Sequence, residues 1–235
     1  LRCLEASGFS ECVIAIAADD DVTIPALTKE EQGFREVASK PNLVVQSKSA
    51  QMKVTVLRIG DCPGSVEVLR QVEGAAVIPK SSNIVVFPGD LVVFEASAIQ
   101  KLVDTHRQGR QTACTMLLAD VAEEDEHGVP LKESAKQKKG GLAREEEDID
   151  YIALSYTSTD TSTPVTPPRV VWKQSKIDVE HDEDMVGTTP KLVLPKPRLR
   201  HGVTRVRTEW SDLHVYAFSP WVRRLILSRK NLVSV

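Results

Sequence analysis

The residues with the clearest chemical potential in this sequence are a glycine and an aspartate at the end of an apolar run. Residues 84–87, Ile-Val-Val-Phe, lead through Pro88 to Gly89 and Asp90. A carboxylate at the end of a buried strand can hold a Mg²⁺ ion that bridges phosphate oxygens, and a glycine beside it lets a ligand approach closely. Gly-Asp is also an ordinary turn sequence and one aspartate is a poor metal site. A functional Asp90 and a plain turn are therefore both open interpretations.

A second pair of binding candidates stands at the start of a predicted helix. Gly64 and Ser65 open the segment "GSVEVLRQV", whose apolar residues fall on one helical face. Free N–H groups at a helix N-terminus attract an anion or the polar edge of a base. Because ligands of open α/β sheets bind outside the carboxyl ends of the strands, the two pairs together predict a nucleotide pocket.

The other residues that can do chemistry form no recognisable constellation. The five histidines lack the HxxxH or Cys/His spacing of zinc sites. The sequence contains no GxSxG hydrolase motif and no GxxxxGK[ST] phosphate loop. We expect His106 to lie on a helix face and His214 in a strand, both in structural roles.

Composition sets limits on location and partners. The 235 residues are 41% hydrophobic and 27% charged, with a net charge of -3, so no overall charge favours nucleic acid or an acidic membrane. No apolar run approaches the ~20 residues of a membrane span, and no signal peptide is visible. Three of the four cysteines lie in or beside apolar runs, which predicts buried, reduced thiols and a cytosolic location.

Apolar runs and helical stripes alternate over the first half of the chain. Strands are predicted at 12–20, 52–60, 83–90 and 112–121. Helices are predicted at 28–39, 64–72 and 95–109. This order is typical of an α/β, Rossmann-like fold with a mixed, mostly parallel sheet flanked by helices. In such a sheet, residues 84–87 would form a central strand.

The second half begins with a charged insertion. Residues 122–148 carry blocks of like charge and few apolar side chains, so we expect a mobile insertion within one domain spanning 1–235. Further strands are predicted at 150–156, 169–179 and 204–219, with a Thr/Pro-rich loop at 157–168. A final amphipathic helix at 220–233 is expected to turn Trp221, Leu225 and Ile226 inward.

A basic stretch precedes the last strand. Residues 190–207 hold six Lys or Arg and no acid, but no aromatic residue interleaves them. The alternatives are a solvated basic face, a face for RNA and a face for an acidic protein partner, of which we prefer the protein partner to RNA. A stacking platform for single-stranded nucleic acid is not expected.

Several segments resemble one family, the nucleotidyltransferase-like domain of the gamma subunit of eukaryotic translation initiation factor 2B. The similar segments are "ASGFSECVIAIA", "GDCPGSVEVLR", "NIVVFPGDLVV", "DYIALSY" and "RVRTEWSDLHVYAFSPWV". The family pattern of a threonine and a Leu-x-Asp before an "AH-x-Y" strand has equivalents here at Thr208, Asp212, His214 and Tyr216, followed by Trp221 in the next helix. The resemblance covers most of the chain apart from the charged insertion.

The resemblance implies a nucleotidyltransferase fold whose pocket is a relic. Asp90 falls on the metal-binding aspartate of active nucleotidyltransferases, and Gly64 and Ser65 fall on a pair that lines their nucleotide pocket. The family's Gly-rich loop with its arginine and the following Pro-Lys-Pro segment are not in this sequence, and no second metal aspartate is identified. We therefore expect a fragment of a longer chain in which Gly64, Ser65, Gly89 and Asp90 serve no catalysis and no cofactor is used.

Function follows from the same resemblance. It implies a non-catalytic structural and regulatory subunit of the guanine-nucleotide exchange factor for translation initiation factor 2. Its partners would be the other subunits, especially epsilon, and the initiation factor itself, with no membrane and no direct nucleic-acid contact. The alternatives are a sugar-1-phosphate nucleotidyltransferase that uses GTP and Mg²⁺ with Asp90 as metal ligand, and a sensor that binds nucleotide without reacting.

Overall fold

The structure is a computed structural model that describes residues 1–20, 22–28, 34–38, 43–47, 52–91, 95–109, 112–120, 149–156, 167–180, 203–229 and 231–232. In this part of the chain the helices are α1 (Arg2–Ala6), α2 (Thr23–Thr28), α3 (Ser65–Gly74), α4 (Ala96–Gln108), α5 (Lys176–Glu180) and α6 (Pro220–Ser228). The strands are β1 (Glu11–Ala17), β2 (Phe34–Ala38), β3 (Leu43–Ser47), β4 (Lys53–Ile59), β5 (Ile84–Val86), β6 (Cys114–Asp120), β7 (Asp150–Tyr156), β8 (Arg169–Ser175), β9 (Val203–Arg207) and β10 (Trp210–Phe218).

By its contacts the chain falls into two units. The first comprises Leu1–Thr115 with Val215–Val235, and the second is Met116–His214. That 1–235 forms one domain stays a prediction. The charged insertion expected at 122–148 lies outside the described residues, as does most of the expected loop at 157–168. None of the described helices is both long and apolar enough to cross a membrane.

The first unit contains a four-stranded sheet in the order β1-β4-β3-β2. β1 and β4 pair in parallel, from Glu11 opposite Lys53 to Ala17 opposite Ile59. Val54 and Val56 are almost completely buried, and Thr55 between them is buried too. A strand with a neighbour on each side and both faces covered reads as a continuous apolar run, so the strands predicted at 12–20 and 52–60 are confirmed.

The helix predicted over 28–39 is wrong. α2 ends at Thr28, and Phe34–Ala38 form β2, which pairs antiparallel with β3. Phe34 lies opposite Ser47, and Glu36 lies opposite Val45. The Thr28–Glu31 spacing is a local helix signal. In the structure the backbone N–H and C=O groups of β2 bond to β3 instead of within a helix. Tertiary pairing of this kind overrides a weak helix propensity.

The mostly parallel sheet is also wrong for the described residues. Only β1 with β4 is parallel among the pairings whose register is described, and the others are antiparallel: β2 with β3, β3 with β4, β5 with β10, β7 with β8 and β7 with β9. The short connections from β2 to β3 and from β3 to β4 suit antiparallel pairing, whereas β5 and β10 pair antiparallel although they lie far apart in the chain. The structure shows a mixed α/β fold with one small parallel element and antiparallel sheets.

The segment 84–87 is not a central strand. Its three-residue strand β5 lies at the edge of a sheet ordered β5-β10-β6 and runs antiparallel to β10, with Ile84 opposite Phe218 and Val86 opposite Tyr216. Pro88 follows two residues later, and a proline cannot donate to a ladder, which limits the length of the strand. The predicted strand exists, but its place in the sheet was wrongly predicted.

The helices α3 and α4 and the strand β6 match their predictions. Val66 and Val72 of α3 are buried, as are Ile99, Leu102 and His106 of α4. Gly109 is the C-cap of α4, at the position predicted for the helix stop. The apolar stripes of both helices therefore pack inward, as their spacing indicates.

The second unit contains a three-stranded antiparallel sheet in the order β8-β7-β9. Ile152, Leu154 and Tyr156 of β7 form a buried cluster against Val170 and Trp210, among others. Two strand predictions need correction here. The strand predicted over 169–179 ends at Ser175, where α5 begins, and the run 204–219 divides into β9 and β10, with bends at residues 208 and 209.

The C-terminal helix α6 is confirmed, but its inward face is not the predicted one. Val222, Arg223 and Ile226 are buried, whereas Trp221 and Leu225 are exposed. Of the predicted inward residues, Ile226 alone is buried. The observed buried stripe is centred on positions 222 and 226. The predicted stripe, which includes position 221, lies about a quarter turn away, because successive helical residues are about 100° apart.

Candidate functional site

Gly89 and Asp90 form an exposed turn after β5. The Leu91 N–H donates to the Pro88 carbonyl at 3.5 Å and closes this turn. Because β5 is an antiparallel edge strand, the turn does not lie at the carboxyl edge of a parallel sheet, where α/β ligand sites occur. The geometric argument for Asp90 as a pocket residue is thereby lost, and its metal role stays a prediction.

Gly64 and Ser65 lie where the sequence predicts them, at the start of α3. Gly64 is the N-cap, with extended backbone, and its carbonyl accepts hydrogen bonds from the N–H groups of Glu67 and Val68 at 3.1 and 3.4 Å. No side chain caps this end. A ten-residue helix can offer its first N–H groups to an anion, and a nucleotide role for Gly64 and Ser65 stays a prediction.

The loop before α3 is held by a side chain from within the helix. Gln71 accepts the Gly60 N–H through its Oε1 at 3.0 Å and donates from Nε2 to the Cys62 sulfur at 3.3 Å. The Cys62 thiol donates to the Gly60 carbonyl at 3.3 Å. The loop 60–64 is therefore positioned by α3 itself, without a ligand.

A largely apolar cleft of about 840 Å³ opens within the first unit. Its walls come from β1, α3, β5 and α4 and include Ile14, Val72, Val86 and Ile99. Gly89 lines this cleft, but Gly64, Ser65 and Asp90 do not. Of the four predicted pocket residues, Gly89 is thus the one that lines this cleft, and their shared role as a pocket stays a prediction.

The buried histidine of α4 joins the helix to two other segments. His106 is 4% exposed; its Nδ1 lies 3.0 Å from the Thr115 hydroxyl and its Nε2 lies 3.2 Å from the Ser219 hydroxyl. Ser219 donates its only hydroxyl proton to the Thr112 carbonyl at 2.6 Å. His106 must therefore donate from Nε2 and accept at Nδ1. Burial lowers its pKa below the ordinary value, which keeps the ring neutral.

Ser219 and His106 are as close as a catalytic serine and its general base, but their hydrogen bond runs in the wrong direction for catalysis. A general base must accept the proton of the hydroxyl it activates. Here that proton points to the Thr112 carbonyl, and the imidazole is the donor. The cluster is a hydrogen-bonded joint between α4, β6 and the start of α6, as the structural role predicted for His106 requires.

A buried arginine joins α3 and α6. Arg223 is 1% exposed, and its Nε lies 2.8 Å from Oε1 of Glu73. The two terminal nitrogens donate to the carbonyls of Pro79 and Ser82 at 3.0 and 3.3 Å. The guanidinium fork, with its fixed donors, suits a site with one carboxylate and two carbonyls. Arg223 therefore fixes the loop after α3 as well as the helix pair.

The second unit has its own ionic cluster, built around the buried carboxylate of Asp212 with the half-buried Lys173 and Asp150. The Lys173 ammonium lies 2.6 Å from Asp212, whose side chain is 1% exposed, and 3.2 Å from Asp150. Asp212 also accepts the His214 N–H at 2.8 Å. Burial alone would lower the pKa of Lys173, but the two carboxylates outweigh it and raise the pKa. The cluster holds β7, β8 and β10 together.

His214 lies in strand β10, as predicted, in an unusual backbone conformation. Its φ is 55°, in the left-handed region that few residues other than glycine adopt. The bond from its N–H to Asp212 stabilises this local turn. Asp212, the aspartate of the family-like segment, therefore has a structural role: it binds Lys173 and the His214 N–H.

Two arginines of the basic stretch 190–207 lie on aromatic rings. Arg205 lies 6.0 Å from the ring centre of Tyr156, and Arg207 lies 5.9 Å from that of Trp210. These distances suit cation–π contacts. The aromatic partners come from other segments, so the sequence of the stretch alone could not reveal them. Residues 190–202 lie outside the described part of the chain.

The cysteines are less buried than predicted. Those of the described chain are free thiols; Cys3, Cys12 and Cys62 are half-buried and Cys114 is exposed. Partial burial raises the pKa of the Cys12 thiol. Within the described ranges, no group of three or more His, Cys, Asp or Glu side chains could hold a metal ion.

Sequence reasoning missed Lys173 and Arg223, two cations that hold elements of the described chain together. The sequence does hold a signal for Arg223, since it falls between Val222 and Ile226 on the buried stripe of α6. No such signal marks Lys173, because its partners are far away in the chain. No family model matches this chain, and no curated protein sequence matches it either.

Proposed function

We propose that this chain is a non-catalytic structural and regulatory subunit of the guanine-nucleotide exchange factor for translation initiation factor 2. The non-catalytic role is supported by one observation: the buried polar side chains hold structural elements together. Asp212, Arg223 and His106 are each bound to side chains or carbonyls that hold elements together. Asp90, the one predicted metal ligand, lies on an exposed turn.

The assembly itself is proposed from the family-like segments. They include the start of α3 and the end of β5, and the most specific one runs from β9 through β10 into α6. We propose the nucleotidyltransferase-like fold on the same ground. The parallel β1–β4 pair followed by α3 is the part of the structure that supports this fold.

Exchange of GDP for GTP makes and breaks no covalent bond. An exchange factor works by binding the nucleotide-poor state of the GTPase more tightly than its other states. A subunit of such a factor needs surface and rigidity, and buried ionic joints provide rigidity. Gly64, Ser65, Gly89 and Asp90 are then relics of a nucleotide pocket, no cofactor is used, and the chain works in the cytosol beside the epsilon subunit.

Two measurements test the proposal against its enzymatic rival. The first is co-purification of the chain with the epsilon subunit, for which we expect a stable complex that Asp90→Ala leaves intact. The second is release of pyrophosphate from GTP and mannose 1-phosphate with Mg²⁺, for which we expect none. Turnover that Asp90→Ala abolishes would show the nucleotidyltransferase instead. Calorimetry with GTP and Mg²⁺ would detect binding without turnover, the property of a sensor.

A further inference from the structure

The C-terminal helix α6 presents two large apolar side chains to solvent. Trp221 is 48% exposed and Leu225 is 46% exposed. They are four residues apart, so they lie next to each other on one face of the helix. Val222 and Ile226, about a quarter turn away on the helix, cover the core. Tryptophan and arginine are enriched among the residues that dominate binding at interfaces, and an apolar pair with a polar rim is typical of a binding surface.

The rim of this apolar pair is basic. Arg224 is exposed and lies three residues from Trp221, on the same face, and the exposed Arg229 directly follows the helix. Residues 220–232 contain no Asp or Glu. Within the described residues, neither Arg224 nor Arg229 takes part in an ion pair. The face therefore combines apolar area with uncompensated positive charge.

The far end of this face is held in place by α3. Arg70, itself bound to Glu67 at 2.8 Å, donates to the carbonyls of Arg229 and Leu232 at 2.7 and 3.2 Å. The Leu232 N–H donates to the Arg229 carbonyl at 3.3 Å, which closes a turn, and the Leu232 side chain is 41% exposed. A surface fixed in this way loses little conformational freedom when a partner binds.

We propose that the α6 face, defined by Trp221, Arg224, Leu225 and Arg229, docks an amphipathic helix of another protein with apolar anchors and acidic flanks. Charge selects this occupant, since carboxylates on the partner would meet Arg224 and Arg229. A symmetric contact with a second copy would place the same patch against itself, so the arginines would face arginines. The proposal does not depend on the exchange-factor function.

The test uses the full chain and two synthetic helical peptides. Both carry Trp and Leu at i and i+4; one has Glu on its flanks and the other has Lys at the same positions. Fluorescence anisotropy of the labelled peptides should show the Glu peptide binding at least about tenfold more tightly. Trp221→Ser with Leu225→Ser should abolish binding, and Arg224→Glu should weaken it. Val206→Ser, which removes an apolar side chain 39% exposed on β9, should change nothing.

Three outcomes would overturn the proposal. Equal affinity for the two peptides would remove the role of charge. Unchanged affinity after the Trp221 and Leu225 substitutions would place binding elsewhere. Sedimentation that shows a dimer, lost in the same variant, would make a second copy the occupant. Arg224→Glu alone keeps the test valid if the double substitution unfolds the chain, because Arg224 is exposed and outside the core.

Discussion

At the scale of single residues, buried charges act as joints between elements. Arg223 binds one carboxylate and two carbonyls, and Lys173 binds two carboxylates. Such clusters add little net stability when they form. Removing one partner, however, leaves the others buried and unpaired, which is strongly destabilising. Such clusters fix the elements in one arrangement. A neighbouring exposed residue can serve as a matched control for a mutation in the cluster.

Arg223→Met should lower the free energy of unfolding by about 1–3 kcal/mol, since the Pro79 and Ser82 carbonyls and Glu73 lose their partner. Arg224→Met is the control at the next position. It is exposed, so its effect should stay within about 0.5 kcal/mol. Urea denaturation of the two variants and the unsubstituted chain measures these changes in the free energy of unfolding. Equal stability of both would contradict the joint described for Arg223.

His106 should make the chain less stable as the pH falls. Its pKa is lowered in the folded state, so below the ordinary value near 6.5 the unfolded chain binds more protons than the folded one. The free energy of unfolding therefore decreases from pH 7 towards pH 5. His106→Gln should flatten this decrease, which urea denaturation between pH 5 and pH 7 would measure. Parallel curves of stability against pH for the two proteins would refute this role of the histidine.

At the scale of elements, local pattern predicted most of the pieces but not their pairing. The α3 and α4 stripes and the apolar runs of β1, β4 and β6 are local, and each formed the predicted element. The helix prediction at 28–39 was wrong because β2 pairs with β3, and local residue spacing does not reveal this pairing. Residues 84–86 form a strand as predicted, but their neighbour is β10, more than a hundred residues later.

The candidate site was less predictable than the fold. The start of α3 at Gly64 and Ser65 follows from N-cap preference and the stripe behind it. The pocket required residues 84–87 to be central and parallel, which is a long-range property. Likewise, the face that α6 buries depends on what packs against it, so Trp221 was expected inside and lies outside.

Gly109 offers a test at the end of α4. A Cβ at this position would overlap the Thr112 side chain, whereas a Cβ on Gly74, the last residue of α3, would meet nothing within 4 Å. Gly109→Ala should therefore destabilise the protein by about 1–3 kcal/mol through overpacking. Gly74→Ala should stabilise it by about 0.4–1 kcal/mol. Thermal unfolding compares the two, and a stabilised Gly109→Ala variant would contradict the described end of α4.

At the scale of the whole molecule, charge is used in two different ways. The buried charges of both units are paired within the fold. The α6 face, by contrast, presents apolar side chains beside Arg224 and Arg229, which form no ion pair with any described residue. Rigid ionic joints inside and an apolar, basic face outside support the proposed role in assembly.

The rate of GDP release from translation initiation factor 2 tests the central claim most directly. Since this chain is proposed to be a subunit of the exchange factor, the rate is measured with the remaining subunits, with and without this chain. We predict that the chain raises the rate and that the Asp90→Ala chain raises it equally, because the proposed function gives the turn at Asp90 no part in exchange. An unchanged rate on adding the chain, or loss of the effect with Asp90→Ala, would contradict the account.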